Sequence, residues 1–168
     1  YYTPEYIVNY IVKNTLAPLV KEAHEKVKTL KPEVDKVIAE WQMLKEQKQG
    51  LEPTEKYERK IAEESERLLE PYLALKVLDP AMGSGHFLAR AMDFLAEAIA
   101  TDPYIKPPLK IGEDSELTYY RRRVVESCIY GVDLNPLAVE LAKLTLWLGT
   151  MARSKPLSFL NHHLRVGN

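Results

Sequence analysis

One cysteine, Cys128, stands in 168 residues. A lone thiol excludes an intrachain disulfide framework and a cysteine-rich zinc site, and it points to a reducing compartment. No apolar run approaches the ~20 residues needed to span a bilayer. The N-terminus lacks the basic region and apolar stretch of a secretory signal. The expectation is a cytoplasmic chain without membrane contact. A charge excess is lacking too: 23 Lys+Arg stand against 24 Asp+Glu, a net charge of −1. Free-standing nucleic-acid binders usually carry a basic excess, so any grip on DNA or RNA has to come from a local patch or from residues outside this sequence. His162 and His163 are adjacent, with no Cys or acid at metal spacing, so no metal is expected.

What remains suits a globular chain of about one domain, with 46% hydrophobic and 28% charged residues. It opens Tyr1-Tyr2-Thr3-Pro4 without a methionine and stops at Gly167-Asn168 directly after an apolar segment. The expectation is a fragment of a larger protein.

Residues 3–15 read as a helix with Thr3 as N-cap and Pro4 at the first helical position, and Ile7, Val8, Ile11 and Val12 form its apolar stripe. Pro18, Pro32 and Pro53 each predict a new helix start. The third helix carries Val34, Val37, Trp41 and Leu44 and ends at Gly50; the fourth carries Tyr57, Ile61, Leu68 and Leu69. Residues 21–70 hold 11 Lys/Arg and 13 Asp/Glu, the texture of a solvated helical hairpin. At residue 75 the texture changes. Leu75–Asp79 reads as a strand ending in an acid, Pro80–Gly85 as a small-residue turn, and the following segment as a helix to about Ala100. After a loop over 101–114 and a helix over 115–127, Ile129–Asp133 is a second strand ending in an acid. Asn135 and Pro136 then cap and open a helix closed by Gly149, and Leu164–Val166 is a third strand. This alternation predicts an α/β fold with a three-stranded parallel sheet and right-handed crossovers. Helix 136–148 is apolar nearly all round, so burial on more than one side is expected.

The chemistry concentrates in the turns. Asp79-Pro80-Ala81-Met82-Gly83-Ser84-Gly85-His86-Phe87 follows a strand and opens a helix. There, glycines admit a ligand to the backbone and the helix start offers free N–H groups. A dinucleotide fingerprint needs a third glycine where Leu88 stands, which disfavours NAD. A tight turn with no ligand is the other reading. Asp133, at the tip of the second strand, is placed to accept two ribose hydroxyls, although a lone acid there is by default a loop carboxylate.

The order of Tyr2-Thr3-Pro4, then Asp79 to Phe87, then Tyr130-Gly131-Val132-Asp133-Leu134-Asn135-Pro136 resembles the N6-adenine DNA methyltransferases of restriction–modification and phage-defence systems. The helix from Ala138 through Leu148, followed by Leu157-Ser158-Phe159-Leu160-Asn161, resembles especially their large fused type IIG members. The resemblance covers about 1–15 and 75–168. It implies a partial Rossmann-like methyltransferase fold with S-adenosylmethionine as cofactor. It divides the chain into a cofactor-closing helix at 1–18, a charged helical insertion at 19–74 and a cofactor-binding half-domain at 75–168.

By position, the resemblance implies that Tyr2, Thr3 and Pro4 close over the methionine part of the cofactor. Asp79, Ala81, Met82, Gly83, Gly85 and Phe87 would hold its methionine and sulfonium region. Asp133 would bind the ribose, Leu134 would lie beside the adenine, and Asn168 would meet the adenine amino group. The family's Asn/Asp-Pro-Pro-Tyr/Phe loop, which holds the target adenine, does not occur here. The fragment is therefore expected to hold no catalytic residue and to be inactive alone. Its expected partners are double-stranded DNA, through the parent protein, and the parent's remaining methyltransferase and target-recognition regions.

An RNA base methyltransferase shares the Asp-Pro-x-x-Gly-Ser-Gly turn, but the Tyr-Thr-Pro element argues against it. A non-catalytic scaffold using the methyltransferase fold is the third reading. His86 reads as a helix-start residue partly in solvent, Arg121-Arg122-Arg123 as a solvated helix face and Cys128 as core.

Overall fold

The computed structural model describes residues 2–108, 115–150 and 156–168. Helix α1 (Glu5–Gln47) and α2 (Glu55–Glu66) precede a 3-10 turn and the short α3 (Glu70–Leu73). Strand β1 (Val77–Asp79), α4 (His86–Thr101), α5 (Glu116–Cys128), β2 (Ile129–Asp133), α6 (Pro136–Thr150) and β3 (Leu164–Val166) follow. The three strands are parallel in the order β1-β2-β3, with Asp79 opposite Gly131 and Asp133 opposite Val166. The expected α/β class and three-stranded parallel sheet are therefore present. Both crossovers step in the same direction across the sheet, so right-handedness places α4 and α6 on the same face. The opposite face is thinly covered, and Leu78 on β1 is 61% exposed.

The three helices expected over 3–50 are one helix of 43 residues, with Pro18 and Pro32 inside it. Each proline removes one intrahelical hydrogen bond, and in a helix interior it costs about 3 kcal/mol. Tertiary burial overrides that penalty. Val8, Val12, Leu16, Ala23, Val27 and Val34 form a buried stripe that runs past both prolines. The carbonyls left free belong to Asn14 and Lys28, which are exposed to water. Thr3 does not cap this helix; the Pro4 carbonyl accepts from the N–H groups of Ile7 and Val8. At 1.5 Å per residue α1 is roughly 65 Å long, so its far half reaches beyond the sheet. There it pairs with α2: the Trp41 and Tyr57 rings lie 6.4 Å apart and Lys45 Nζ donates to Glu58 at 2.8 Å. Residues 19–70 thus contain helices joined by a short connection and no strand, as the charge density and periodicity predict.

Two boundaries also differ. Strand β1 begins at Val77 rather than Leu75, because Leu75 closes the preceding turn through its N–H to Tyr72 O. Helix α6 runs through Gly149 to Thr150. A Cβ at this glycine would lie 2.7 Å from Met92 Cε, so the end of that side chain rests against the helix here. The expected loop at 101–114 is described only to residue 108.

A polar knot joins α1 to the rest. The side chain of Asp102 is fully buried. It accepts from Tyr72 OH at 2.7 Å and from Tyr104 N at 2.9 Å, and it contacts His24 Nδ1 at 2.9 Å. Burial first, then the bond to Asp102, push the Tyr72 phenol well above its ordinary value. An Asp102→Ala variant strands the Tyr72 hydroxyl and the Tyr104 N–H. At about 1–3 kcal/mol per stranded group, we expect a loss of roughly 2–4 kcal/mol in urea unfolding. Tyr72→Phe in the same background should recover part of that loss, because it removes the hydroxyl that Asp102→Ala has stranded.

Candidate functional site

Because the strands are parallel, the tips of all three meet at one edge of the sheet. Asp79 ends β1, Asp133 ends β2, and Gly167-Asn168 follows β3. The Gly167 N–H donates to Asp133 O at 3.0 Å, which sets the exposed Asn168 beside the second tip. Among open parallel sheets this edge is where ligands bind.

The glycine turn is built against β2. Asp79 Oδ1 accepts from Ala81 N at 3.1 Å and starts the bend. The Met82 N–H donates to Val132 O at 3.0 Å. The Met82 side chain, 4% exposed, packs into the core over Gly131, so only its backbone is available to a ligand. Gly83 and Gly85 both have positive φ, 55° and 84°, which favours glycine. At Gly83 a Cβ would meet nothing within 4 Å, so the backbone there is open to an incoming group. Gly85 is needed for a second reason: its Cβ would lie 3.1 Å from Ala142 Cβ on α6.

Asp133 locks the arrangement. Its Oδ2 accepts from Gly83 N at 2.9 Å and its Oδ1 from Asn135 N at 2.8 Å. These bonds, Asn135's foremost and then Gly83's, hold the carboxyl below the usual aspartate range, with burial opposing them. The carboxylate is therefore ionised at neutral pH and keeps unused lone pairs on both oxygens. Asn135 Oδ1 in turn caps α6 by accepting from Leu137 N at 3.0 Å. Leu134, between them, is 71% exposed at the rim.

The N-terminal segment comes to the same place. The Tyr2 ring, 75% exposed, lies 5.6 Å from the His86 ring at the start of α4. Thr3 is half-buried and Pro4 exposed beside it. His86 Nε2 is buried and has no hydrogen-bond partner among the described residues. The sequence reading, a helix-start residue partly in solvent, missed this, because no local pattern marks the burial of one ring nitrogen. Phe87 turns the other way. It lines a cavity of about 220 Å³ between α1, β1 and α4, together with Val12, Leu16 and Asp79.

Other candidates are absorbed by the fold. Arg121 Nε donates to Asp93 at 2.8 Å, and Arg123 pairs with Glu66, so these two serve helix–helix contacts. Burial pushes the Cys128 thiol up to about 11, as befits an inert core residue. No helix of the described residues is long and apolar enough to cross a membrane.

Gly131 is a hinge of this geometry that carries no chemistry of its own. A Cβ at that position would run into Met82 Sδ and lie 2.7 Å from Leu88 Cδ1. Overpacking of this kind costs about 1–3 kcal/mol, so Gly131→Ala should lower the unfolding midpoint in urea. It should also shift the amide resonances of Met82 and Gly83, since relief of the clash moves the turn.

The sequence matches the profile of the family described as N-6 DNA Methylase over residues 58–158, more than half of the chain. It is 32% identical over 152 residues to a Methanocaldococcus jannaschii protein that carries the name of a type II restriction enzyme and methyltransferase. That match covers 88% of this chain and 12% of the relative. It is 34% identical over 83 residues to the adenine-specific methyltransferase PglX of Streptomyces coelicolor, over 49% of this chain and 6% of the relative. The chain thus spans a small share of the length of these curated relatives. No solved structure matches significantly.

Proposed function

The chain belongs to the N-6 DNA methylase family, and from that premise we propose that it is the S-adenosylmethionine-binding part of an enzyme that methylates N6 of adenine in DNA. The observation that carries this reading is the joint between the two strand tips. Asp133 accepts from Gly83 N, so an ionised carboxylate, an open glycine backbone and a helix N-terminus face one crevice.

The residues fit such a cofactor. The open backbone at Gly83 leaves room for a group at the turn, and the partnerless His86 Nε2 supplies a polar contact. When bound, S-adenosylmethionine supplies an activated methyl group on a cationic sulfur. The chain's own part is to hold and orient. In this reading Asp133 binds the ribose hydroxyls and Leu134 lies against the adenine. Asn168 reaches the adenine amino group from the third tip. Asp79, Ala81, Gly83, Gly85 and the Met82 backbone surround the methionine and sulfonium region, and the acids favour its positive charge. Phe87 supports this turn from the side of the cavity it lines. Tyr2, Thr3 and Pro4 close over the crevice beside His86.

On this reading residues 1–18 close the site, 19–74 are a charged insertion and 75–168 form the cofactor-binding half. The first boundary falls inside α1, so closing segment and insertion would move as one rigid rod. Double-stranded DNA and the remaining regions of the enzyme are the proposed partners. Calorimetric titration of the chain with S-adenosylmethionine and with its demethylated product tests the proposal. Saturable one-to-one binding of both is expected; no binding of either at millimolar concentration would reject it and favour a scaffold.

A further inference from the structure

Helix α6 carries two apolar faces, and among the described residues only one of them is buried. Val139, Ala142, Leu146 and Thr150 are buried against the domain. On the opposite side Leu137, Leu141, Leu144 and Leu148 are 66%, 45%, 41% and 53% exposed. Their spacing is 4, 3 and 4 residues, the a/d repeat that seats the knobs of a second helix. One flank of this seam carries the small residues Ala138 and Thr145, which allow close approach. The other carries Glu140, whose carboxylate is held by Lys143 Nζ at 2.8 Å rather than pointing across the seam. Among the described residues the main packing partners of α6 are α4, α5, β2, β3 and the 3-10 turn before β3, and the long helix α1 is not one of them.

We propose that this leucine seam docks an amphipathic helix of the same polypeptide lying outside residues 1–168. The seam's repeat selects a helix over a strand or a nucleic acid, and its lack of free charge selects an apolar partner. Size selects the source. A 15-residue helix is ~22 Å long and ~10 Å wide, so the seam offers roughly 220 Å², far less than the ~800 Å² per partner of a stable complex between separate molecules. A tethered helix does not need that area, because the linker supplies an effective concentration in the millimolar range. The curated relatives are long enough to provide one, since this chain spans 12% and 6% of them. The source of the helix thus rests on reading the chain as one part of a longer methyltransferase; the seam itself does not.

The test is a photo-reactive benzoylphenylalanine at position 144 of the full-length polypeptide, with cross-linked peptides read by mass spectrometry from a mixture of isotopically heavy and light chains. The expected product joins position 144 to a peptide outside 1–168 within one chain, and it is lost when Leu141→Glu is introduced. Heavy–light products, products with added duplex DNA, or no product at all would each overturn the proposal. A parallel titration separates it from the functional reading. The chain carrying Leu141→Glu and Leu144→Glu should bind S-adenosylmethionine as the unaltered chain does. Loss of binding in that variant alone would make the seam part of the cofactor site and reject docking. Failure of the unaltered chain to bind would reject the cofactor reading and leave the cross-link result standing.

Discussion

Asp133→Ala should weaken S-adenosylmethionine binding roughly ten- to hundredfold, the effect of losing hydrogen bonds to a charged acceptor. The geometry makes the loss double. The carboxylate is proposed to accept the ribose hydroxyls, and it already holds the turn through Gly83 N at 2.9 Å. Removing it deletes a ligand contact and releases the backbone that the ligand rests on. Asp133→Asn should fare little better. Both carboxylate oxygens accept backbone N–H groups, from Gly83 and from Asn135. An amide can satisfy one of them and turns an N–H toward the other. Calorimetry on the alanine and asparagine variants checks this, and wild-type affinity in either one would remove Asp133 from the site.

The same carboxyl gives a pH dependence of fixed sign. Its folded-state value is depressed, chiefly by the Asn135 bond and next by the Gly83 bond. A depressed acid contributes stability that is fully present above the unfolded aspartate value of ~3.9 and is lost as pH falls through the folded value. Asp133 should therefore leave cofactor affinity flat between neutrality and mild acid. Protection of the Gly83 amide from exchange should fail only in stronger acid, below the unfolded value.

The glycine turn and the second strand were legible because their signals are local. Gly83 and Gly85 stand where the backbone needs positive φ, and Ile129–Asp133 is an apolar run closed by an acid. What was not legible depends on residues far apart in sequence. Pro18 and Pro32 read as helix starts, yet the buried stripe from Val8 to Val34 carries α1 through both. Met82 read as a turn residue, but its side chain belongs to the core, because Gly131 leaves the space for it. The buried carboxylate of Asp102 draws on His24, 78 residues away, and no local pattern marks that pair. On α6 the heptad could be read from the leucines. The expected burial on more than one side is not found, since the Leu137–Leu148 face is exposed; the buried side is set by α4, α5 and the sheet, which no pattern within the helix reveals.

The largest effect expected is a loss of all activity by truncation: residues 1–168 alone should transfer no methyl group to DNA. Transfer needs the target amine in line with the sulfonium carbon at near-contact distance, and positioning of this kind accounts for ~7–11 kcal/mol of a barrier. In the family resembled here that task falls to the Asn/Asp-Pro-Pro-Tyr/Phe loop, which this sequence does not contain. The strand tips offer acids and open backbone. Among the described residues their carboxylates are tied to the turn backbone, Asp79 to Ala81 N and Asp133 to Gly83 N and Asn135 N, rather than set out for the N6 protons. Extrusion itself costs a few kcal/mol. A net charge of −1, with Arg121 and Arg123 already paired to acids, leaves little electrostatic binding energy to offset it. Incubating the chain with labelled S-adenosylmethionine and mixed-sequence duplex DNA should therefore give background counts, even where titration shows the cofactor bound. A longer polypeptide that includes the target-base loop should be active in the same assay, and its product should be N6-methyladenine. Robust adenine methylation by residues 1–168 would mean that groups placed here as structural or cofactor-binding also align the base. His86 Nε2, the orphaned polar atom at the turn, would then be the first to substitute.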